Sequence, residues 1–103
     1  MDLSYHQLDP IIHQPARLSI MAALAVTYEI EFSVIRDTIV ISDSLLSRYI
    51  SVLEESNYIE VRKVFVNKRA KTWISLTKEG RIAFDKYIQS LQNIVRQKYN
   101  ISK

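Results

Sequence analysis

Three serines and one arginine share a stretch of the sequence that contains no carboxylate. Ser44, Ser47, Arg48 and Ser51 recur at intervals of three and four residues, which places them on one side of a helix. Hydroxyls both donate and accept hydrogen bonds, and a guanidinium presents two parallel N–H donors. Such a face can bond phosphate oxygens or base edges, and its small side chains allow close approach. The chemistry predicted is binding in the major groove of DNA; the alternative is an ordinary amphipathic helix with a solvated serine face.

A cluster of cations follows this stretch. Residues 62–81 hold seven of the 14 basic residues and one acidic residue, whereas residues 1–61 hold three basic and nine acidic residues. A basic segment on an otherwise acidic chain is typical of proteins that bind a polyanion. Lys68, Arg69 and Lys71 fall within four residues of one another, and we predict that they contact phosphates. The alternative is a loop that is merely soluble.

The serine and arginine face requires a helix with defined ends. Ser42 or Asp43 can cap its first turn through a side-chain oxygen. Asn57 stands where the chain must leave the helix in a left-handed conformation, which Asn tolerates better than most residues. The opposite face is apolar at the spacing of a buried helical stripe, with Leu46, Ile50 and Leu53.

The surrounding pattern supplies the rest of the architecture. We predict a first helix to about Ala25, an extended segment over 27–32, and a short helix over 34–38 that Ser33 caps. After Asn57 the apolar period changes from helical to two, which predicts a β-hairpin turning at Asn67. The expected fold is α+β, mainly α: one winged helix-turn-helix domain over 1–103. Its predicted parts are a helix-turn-helix at about 33–57, a wing at about 58–76 and a long C-terminal dimerisation helix at about 78–98.

The C-terminal helix, which Thr77 can cap, carries an apolar stripe longer than a small domain can cover. That stripe has to be buried against another surface. A second subunit and the chain's own N-terminal segment are the two candidates, and we favour a homodimer. The predicted interface residues are Phe84, Tyr87, Ile88, Leu91, Ile94, Val95 and Tyr99.

Several segments resemble the small winged-helix transcriptional regulators related to MarR and ArsR. They are Phe32, Asp43 to Ile50, Leu53-Glu54, Asn57 to Ile59 and Trp73 to Arg81, and the resemblance covers about residues 12–95. Two positions depart from the family pattern. Asn57 stands where the family usually has glycine, and Tyr49 where many members have histidine.

The resemblance implies a homodimer that binds double-stranded DNA and regulates transcription. It places the recognition helix in the major groove and the wing at the minor groove or its phosphates. The implied major-groove residues are Ser44, Leu45, Ser47, Arg48 and Ser51. In the wing the implied contacts are Lys68, Arg69 and Lys71, supported at the DNA backbone by Arg62, Lys63 and Lys78. Some relatives sense phenolic ligands or metals, and the sequence shows neither property.

Other functions receive little support from the composition. The chain has no cysteine and one glycine, which removes thiol chemistry and glycine-rich phosphate loops. His6 and His13 are too loosely spaced to predict a metal site, so we expect no metal, no cofactor and no enzymatic activity. Neither a signal peptide nor a membrane span is evident, which favours a cytoplasmic protein. Two alternatives to a specific regulator stay open: a non-specific architectural DNA-binding protein, and a winged-helix protein-interaction module.

Overall fold

A computed structural model describes residues 7–99 of the chain, with side chains described to residue 96. Its architecture is the predicted one, a mainly helical winged helix with a small antiparallel sheet and a long last helix. The elements in chain order are α1 (Pro15–Ala25), β1 (Ile30–Glu31), α2 (Phe32–Ile39), α3 (Asp43–Glu55), β2 (Ile59–Val66), β3 (Arg69–Leu76) and α4 (Lys78–Tyr99).

The sheet has the strand order β1-β3-β2, and both pairings are antiparallel. Strands β2 and β3 form a hairpin, the wing, in which Val66 is paired with Arg69. Asn67 and Lys68 connect the strands with φ angles of 52° and 66°. Two consecutive positive φ angles define the tight turn whose twist matches that of the flanking strands. The turn predicted at Asn67 is confirmed, with Lys68 as its second residue.

Helix α3 begins and ends as the sequence predicts. The hydroxyl of Ser42 accepts a hydrogen bond from the Leu45 amide at 3.2 Å, so Ser42 is the N-cap. At the other end Asn57 has a φ of 62°. The amide of Tyr58 then donates to the Leu53 carbonyl at 3.0 Å, which satisfies one of the last helical carbonyls.

Helix α2 differs from the prediction. It begins at Phe32, with Glu31 as its N-cap residue, rather than after a Ser33 cap. The Ser33 hydroxyl instead donates to the Glu31 carboxylate at 2.8 Å. Because β1 ends at Glu31, the chain passes from strand to helix without a loop. Helix α2 ends at Ile39, and the C-cap residue Val40 has a left-handed φ of 55° and ψ of 70°.

The start of α4 sits directly on the start of the wing. The Thr77 hydroxyl accepts a hydrogen bond from the Gly80 amide at 2.8 Å and donates to the Asn57 carbonyl at 2.6 Å. The Thr77 amide donates to the Tyr58 carbonyl at 3.0 Å. A Cβ atom at Gly80 would lie 2.0 Å from that same carbonyl oxygen. We call these four residues the junction, and only glycine fits at its tightest point.

The core lies between α1, α3, the sheet and the first half of α4. The sequence-predicted apolar face of α3 is confirmed, since Leu46, Ile50 and Leu53 are all buried. The remaining buried apolar residues come from the N-terminal segment and the other elements: Leu8, Ile12, Ile20, Met21, Leu24, Ile35, Ile59, Ile74, Phe84 and Tyr87.

The N-terminal segment covers part of the stripe on α4. Leu8 and Ile12 are buried in the same cluster as Phe84 and Tyr87. Tyr87 is only 1% exposed, and its hydroxyl is 2.8 Å from Nδ1 of His13. The N-terminal segment, one of the two candidate partners of the stripe, therefore covers its first half within the chain. Phe84 and Tyr87, which were predicted at a dimer interface, are buried within the chain, and their place in an interface stays a prediction.

Candidate nucleic-acid interface

Helix α3 presents the predicted polar face to solvent. Ser44, Ser47, Arg48 and Ser51 are all exposed, and Leu45 is half-buried at the edge of that face. Because the opposite face of α3 is buried, the helix cannot turn without breaking the core. The structure therefore brings the five predicted recognition residues together, with Leu45 less accessible than the rest.

Polar contacts hold the start and the middle of α3. Arg36 of α2 donates to Asp43, the first residue of α3, at 3.0 Å and to Asp37 at 2.9 Å. The hydrogen bond from Arg36 lowers the pKa of the Asp37 carboxyl. On the side facing α1, the Tyr49 hydroxyl accepts a hydrogen bond from Gln14 at 3.1 Å. Tyr49 thus fills the position where family members often have histidine and links α3 to the start of α1.

The two faces of the wing differ because side chains alternate along a strand. The groove face carries Lys63 and Phe65 beyond Val61, opposite Thr72 and Ala70 on β3. The outer face carries Glu60, Arg62, Val64, Val66, Arg69, Lys71 and Trp73. Trp73 is half-buried on the outer face.

A groove of about 430 Å³ separates α3 from the wing. Ser47 and Ser51 line it from α3, and Lys63 and Thr72 line it from the wing. Two acidic residues of α3, Asp43 and Glu54, also line it. Recognition-helix hydroxyls and a wing cation therefore border the same concave surface, as a single DNA-binding face requires.

Most of the predicted DNA-contacting cations have no counter-ion among the side chains that the structure describes. Among the side chains described, Arg62 forms an ion pair with Glu29 at 2.8 Å, which engages its guanidinium on the outer face. The other predicted cations form no ion pair with any residue in that part of the chain and are exposed: Arg48, Lys63, Lys68, Arg69, Lys71 and Lys78. A set of exposed, unpaired cations retains its charge for an external anion.

Phe65 lies on the surface of the wing, and the sequence analysis did not predict a role for it. Its side chain is 77% exposed, although it follows the buried Ile59 and half-buried Val61 on the same face of β2. The alternation of side chains along β2 could have predicted this exposure, because Phe65 continues the Ile59, Val61 and Lys63 series past the end of the core.

The later part of α4 carries the apolar surface that is left for a partner. Ile88, Leu91 and Ile94 are only partly buried, and Val95 is 40% exposed. The side chain of Tyr99 lies outside the described side chains. Among the predicted interface residues, those from Ile88 to Val95 keep exposed apolar surface, and the interface itself stays a prediction.

The residues weighed as metal ligands have other positions. His13 contacts Tyr87 as described above, and His6 lies outside the described residues. Asp9 accepts a hydrogen bond from the Tyr58 hydroxyl at 2.5 Å. Burial and this hydrogen bond raise the pKa of Tyr58 to about 12. Within the described residues no three metal-ligating side chains lie together, and no helix there is long and apolar enough to cross a membrane.

Comparison with known families bears on this surface directly. Residues 16–95 match the model of the winged helix DNA-binding domain. The chain belongs to this family. The match includes the whole of α3 and the wing, so the serine and arginine face and the exposed cations lie within the family's DNA-binding unit.

Similar proteins support the same classification. An uncharacterized protein of Methanocaldococcus jannaschii is 31% identical over 81 residues, which cover 79% of this chain and 88% of the relative. A transcriptional regulator homologue from Pyrococcus horikoshii OT3 has a TM-score of 0.79 at 26% identity, covering 84% of this chain and 86% of the other. The structure of MarR has a TM-score of 0.77 at 14% identity, covering 95% and 71% respectively. This winged helix DNA-binding protein thus has MarR-like transcriptional regulators as structural neighbours.

Proposed function

We propose that the chain is a homodimeric transcriptional regulator that recognises a specific double-stranded DNA sequence. The observation that carries the proposal is the groove between α3 and the wing. Ser47 and Ser51 line it from α3 and Lys63 lines it from the wing, and Arg48, next to Ser47 in the sequence, is exposed.

The two walls of the groove differ in the contacts that they can make with DNA. Arg48 and the serines have the donors and acceptors to read base edges in the major groove. The wing cations Lys63, Lys68, Arg69 and Lys71 supply attraction to phosphates, which carries no sequence information. Lys78 and Arg62 supply further positive charge, although the ion pair between Arg62 and Glu29 lowers what Arg62 contributes.

Selection of bound DNA from a random duplex pool tests the proposal. We expect an inverted repeat with half-sites about one helical turn apart, because a two-fold dimer presents two equal recognition helices. Retention without an enriched motif would replace the proposal by architectural DNA coating. Failure to retain any duplex at low salt would leave a protein-interaction module as the better explanation.

The homodimer is supported by the second half of α4. Leu91 and Val95 line a surface groove of about 340 Å³ with Gln92 and Arg96, next to the half-buried Ile88 and Ile94. An apolar stripe of this kind is stable in water when another helix packs on it. The same helix of a second subunit is the partner proposed.

Analytical ultracentrifugation of two variants tests the homodimer. Val95→Glu places a charge on the proposed interface, whereas Asn93→Glu places the same charge on an exposed position two residues away. We expect a dimer for the wild type and for Asn93→Glu, and a monomer for Val95→Glu. A wild type that sediments as a monomer at micromolar concentration would end the dimer proposal.

A further inference from the structure

An exposed phenylalanine near the tip of the wing has no structural purpose within the described part of the chain. Phe65 is 77% exposed, and its cross-strand neighbour is Ala70, whose methyl group covers little of a ring. Large aromatic residues normally remove their surface from water when the protein folds. Phe65 therefore contributes little to the core and leaves an apolar ring available for contact.

The surroundings of Phe65 indicate what it contacts. It lies on the groove face, two residues beyond Lys63, which lines the groove shared with Ser47 and Ser51. Lys68 and Arg69 stand at the turn three and four residues later, exposed and unpaired within the described residues. Phe65 therefore lies between Lys63 on its own face and the cations at the turn, and an apolar ring flanked by cations suits a partner that is anionic outside and apolar inside. Duplex DNA has this organisation, with phosphates flanking stacked bases.

We propose that Phe65 is an apolar wedge that enters the minor groove of bound DNA and partly unstacks a base step. The inference rests on the proposed DNA-binding function and adds a residue that recognises how easily the duplex deforms. Proteins that insert Phe, Leu or Ile between base steps kink the duplex. Pyrimidine–purine steps such as TA unstack most easily, and the guanine amino group obstructs the minor groove of G·C pairs. The wedge therefore favours A·T-rich steps.

Binding to two defined duplexes tests the wedge. The wild type and Phe65→Ala are titrated with alternating dA-dT and alternating dG-dC duplexes at several salt concentrations. We expect the wild type to prefer the dA-dT duplex and Phe65→Ala to bind it about tenfold more weakly, the loss typical of removing an aromatic–base contact. The slope of log affinity against log salt stays unchanged, since no cation is removed.

Two matched variants separate the wedge from other causes. Val66→Ala removes an exposed apolar side chain from the outer face, next to Phe65 in sequence, and should leave the dA-dT preference intact. Lys68→Ala should weaken binding to both duplexes and lower the salt slope by about one. Thermal unfolding should give the same midpoint for Phe65→Ala as for the wild type, because the ring is exposed.

A fluorescent base reports the unstacking itself. 2-Aminopurine placed in the dA-dT duplex should brighten when the wild type binds, and should not brighten with saturating Phe65→Ala. If the wild type binds and Phe65→Ala matches it in affinity and fluorescence, the wedge is overturned but the proposed function is not. A lower affinity of Phe65→Ala accompanied by loss of the dimer would assign the ring to a subunit contact and also overturn the wedge. Failure of the wild type to bind either duplex even at the lowest salt would overturn the wedge, whereas the proposed function is decided separately by the selection experiment.

Discussion

The junction and the wing tip are about one strand apart along β2, yet they differ in nearly every physical respect. At the junction, Thr77, Gly80 and the Tyr58 carbonyl are joined by short hydrogen bonds and a contact that only glycine fits. At the wing tip, Phe65 and Lys68 are exposed, and Lys68 has no ion pair within the described residues.

This difference separates stability from binding. Groups at the junction satisfy one another, so a substitution there changes the free energy of unfolding. Groups at the wing tip and on the outward face of α3 are satisfied by water in the free protein, so substitutions there should be close to neutral for folding and are expected to act on DNA affinity. Each of the following predictions tests one side of that separation.

The largest effect is expected from Gly80→Ala. Alanine is normally favoured over glycine inside a helix by about 1 kcal/mol, but here the added Cβ would lie 2.0 Å from the Tyr58 carbonyl oxygen. We expect the free energy of unfolding to fall by about 3 kcal/mol, because backbone on both sides has to shift. Urea denaturation measures this, with the exposed Gln89→Ala on the same helix as the control. A Gly80→Ala protein as stable as Gln89→Ala would show that the junction is not tightly packed.

On the binding side the largest effect is expected from Arg48→Ala. Loss of a bidentate contact to a base costs about 1–3 kcal/mol of discrimination, with unfolding unchanged because Arg48 is exposed. Competition titrations with the selected duplex and a scrambled one measure it. Arg48→Lys keeps the charge but not the paired donors, so it should lose discrimination and retain most of its affinity for scrambled DNA. If Arg48→Lys discriminates as the wild type does, Arg48 contributes charge only.

The sequence predicted the recognition face more completely than it predicted the junction. Local signals sufficed for the left-handed Asn57, for the Thr77 cap and for a cap of α3 at Ser42 or Asp43, because each depends on residues within one turn. The clash at Gly80 depends on Tyr58, 22 positions earlier, and no local pattern reveals it. The ion pair of Arg62 with Glu29 and the burial of Tyr87 against Ile12 likewise depend on how distant segments meet. The outward face of α3 was predictable because its residues need no internal partner.

A smaller loss of stability is expected from Thr77→Val. The substitution keeps the side-chain shape but removes the oxygen that accepts from Gly80 and donates to Asn57. Loss of an N-cap costs about 1 kcal/mol, and Thr77→Ser should restore most of it because the hydroxyl returns. The measurement is the urea midpoint of the three proteins. A wild-type midpoint for the valine variant and a lower one for the serine variant would indicate that the methyl group, not the hydroxyl, holds the junction.

The smallest effect is expected at Val40, in the turn between α2 and α3. A substitution there should raise the free energy of unfolding, whereas those at Gly80 and Thr77 lower it. This β-branched residue has a φ of 55° and is 87% exposed, so it bears the strain of a left-handed conformation without packing to offset it. Val40→Asn should raise the free energy of unfolding by about 1 kcal/mol, and Val40→Ala should raise it less, since alanine also disfavours positive φ. The reciprocal change Asn57→Val, at a φ of 62°, should lower stability, and differential scanning calorimetry can compare all three.

DNA affinity should stay as in the wild type if Val40 only closes the turn. A Val40→Asn protein that is more stable but binds DNA more weakly would instead show that the strained turn sets the angle of α3, and the separation of stability from binding would fail at that residue.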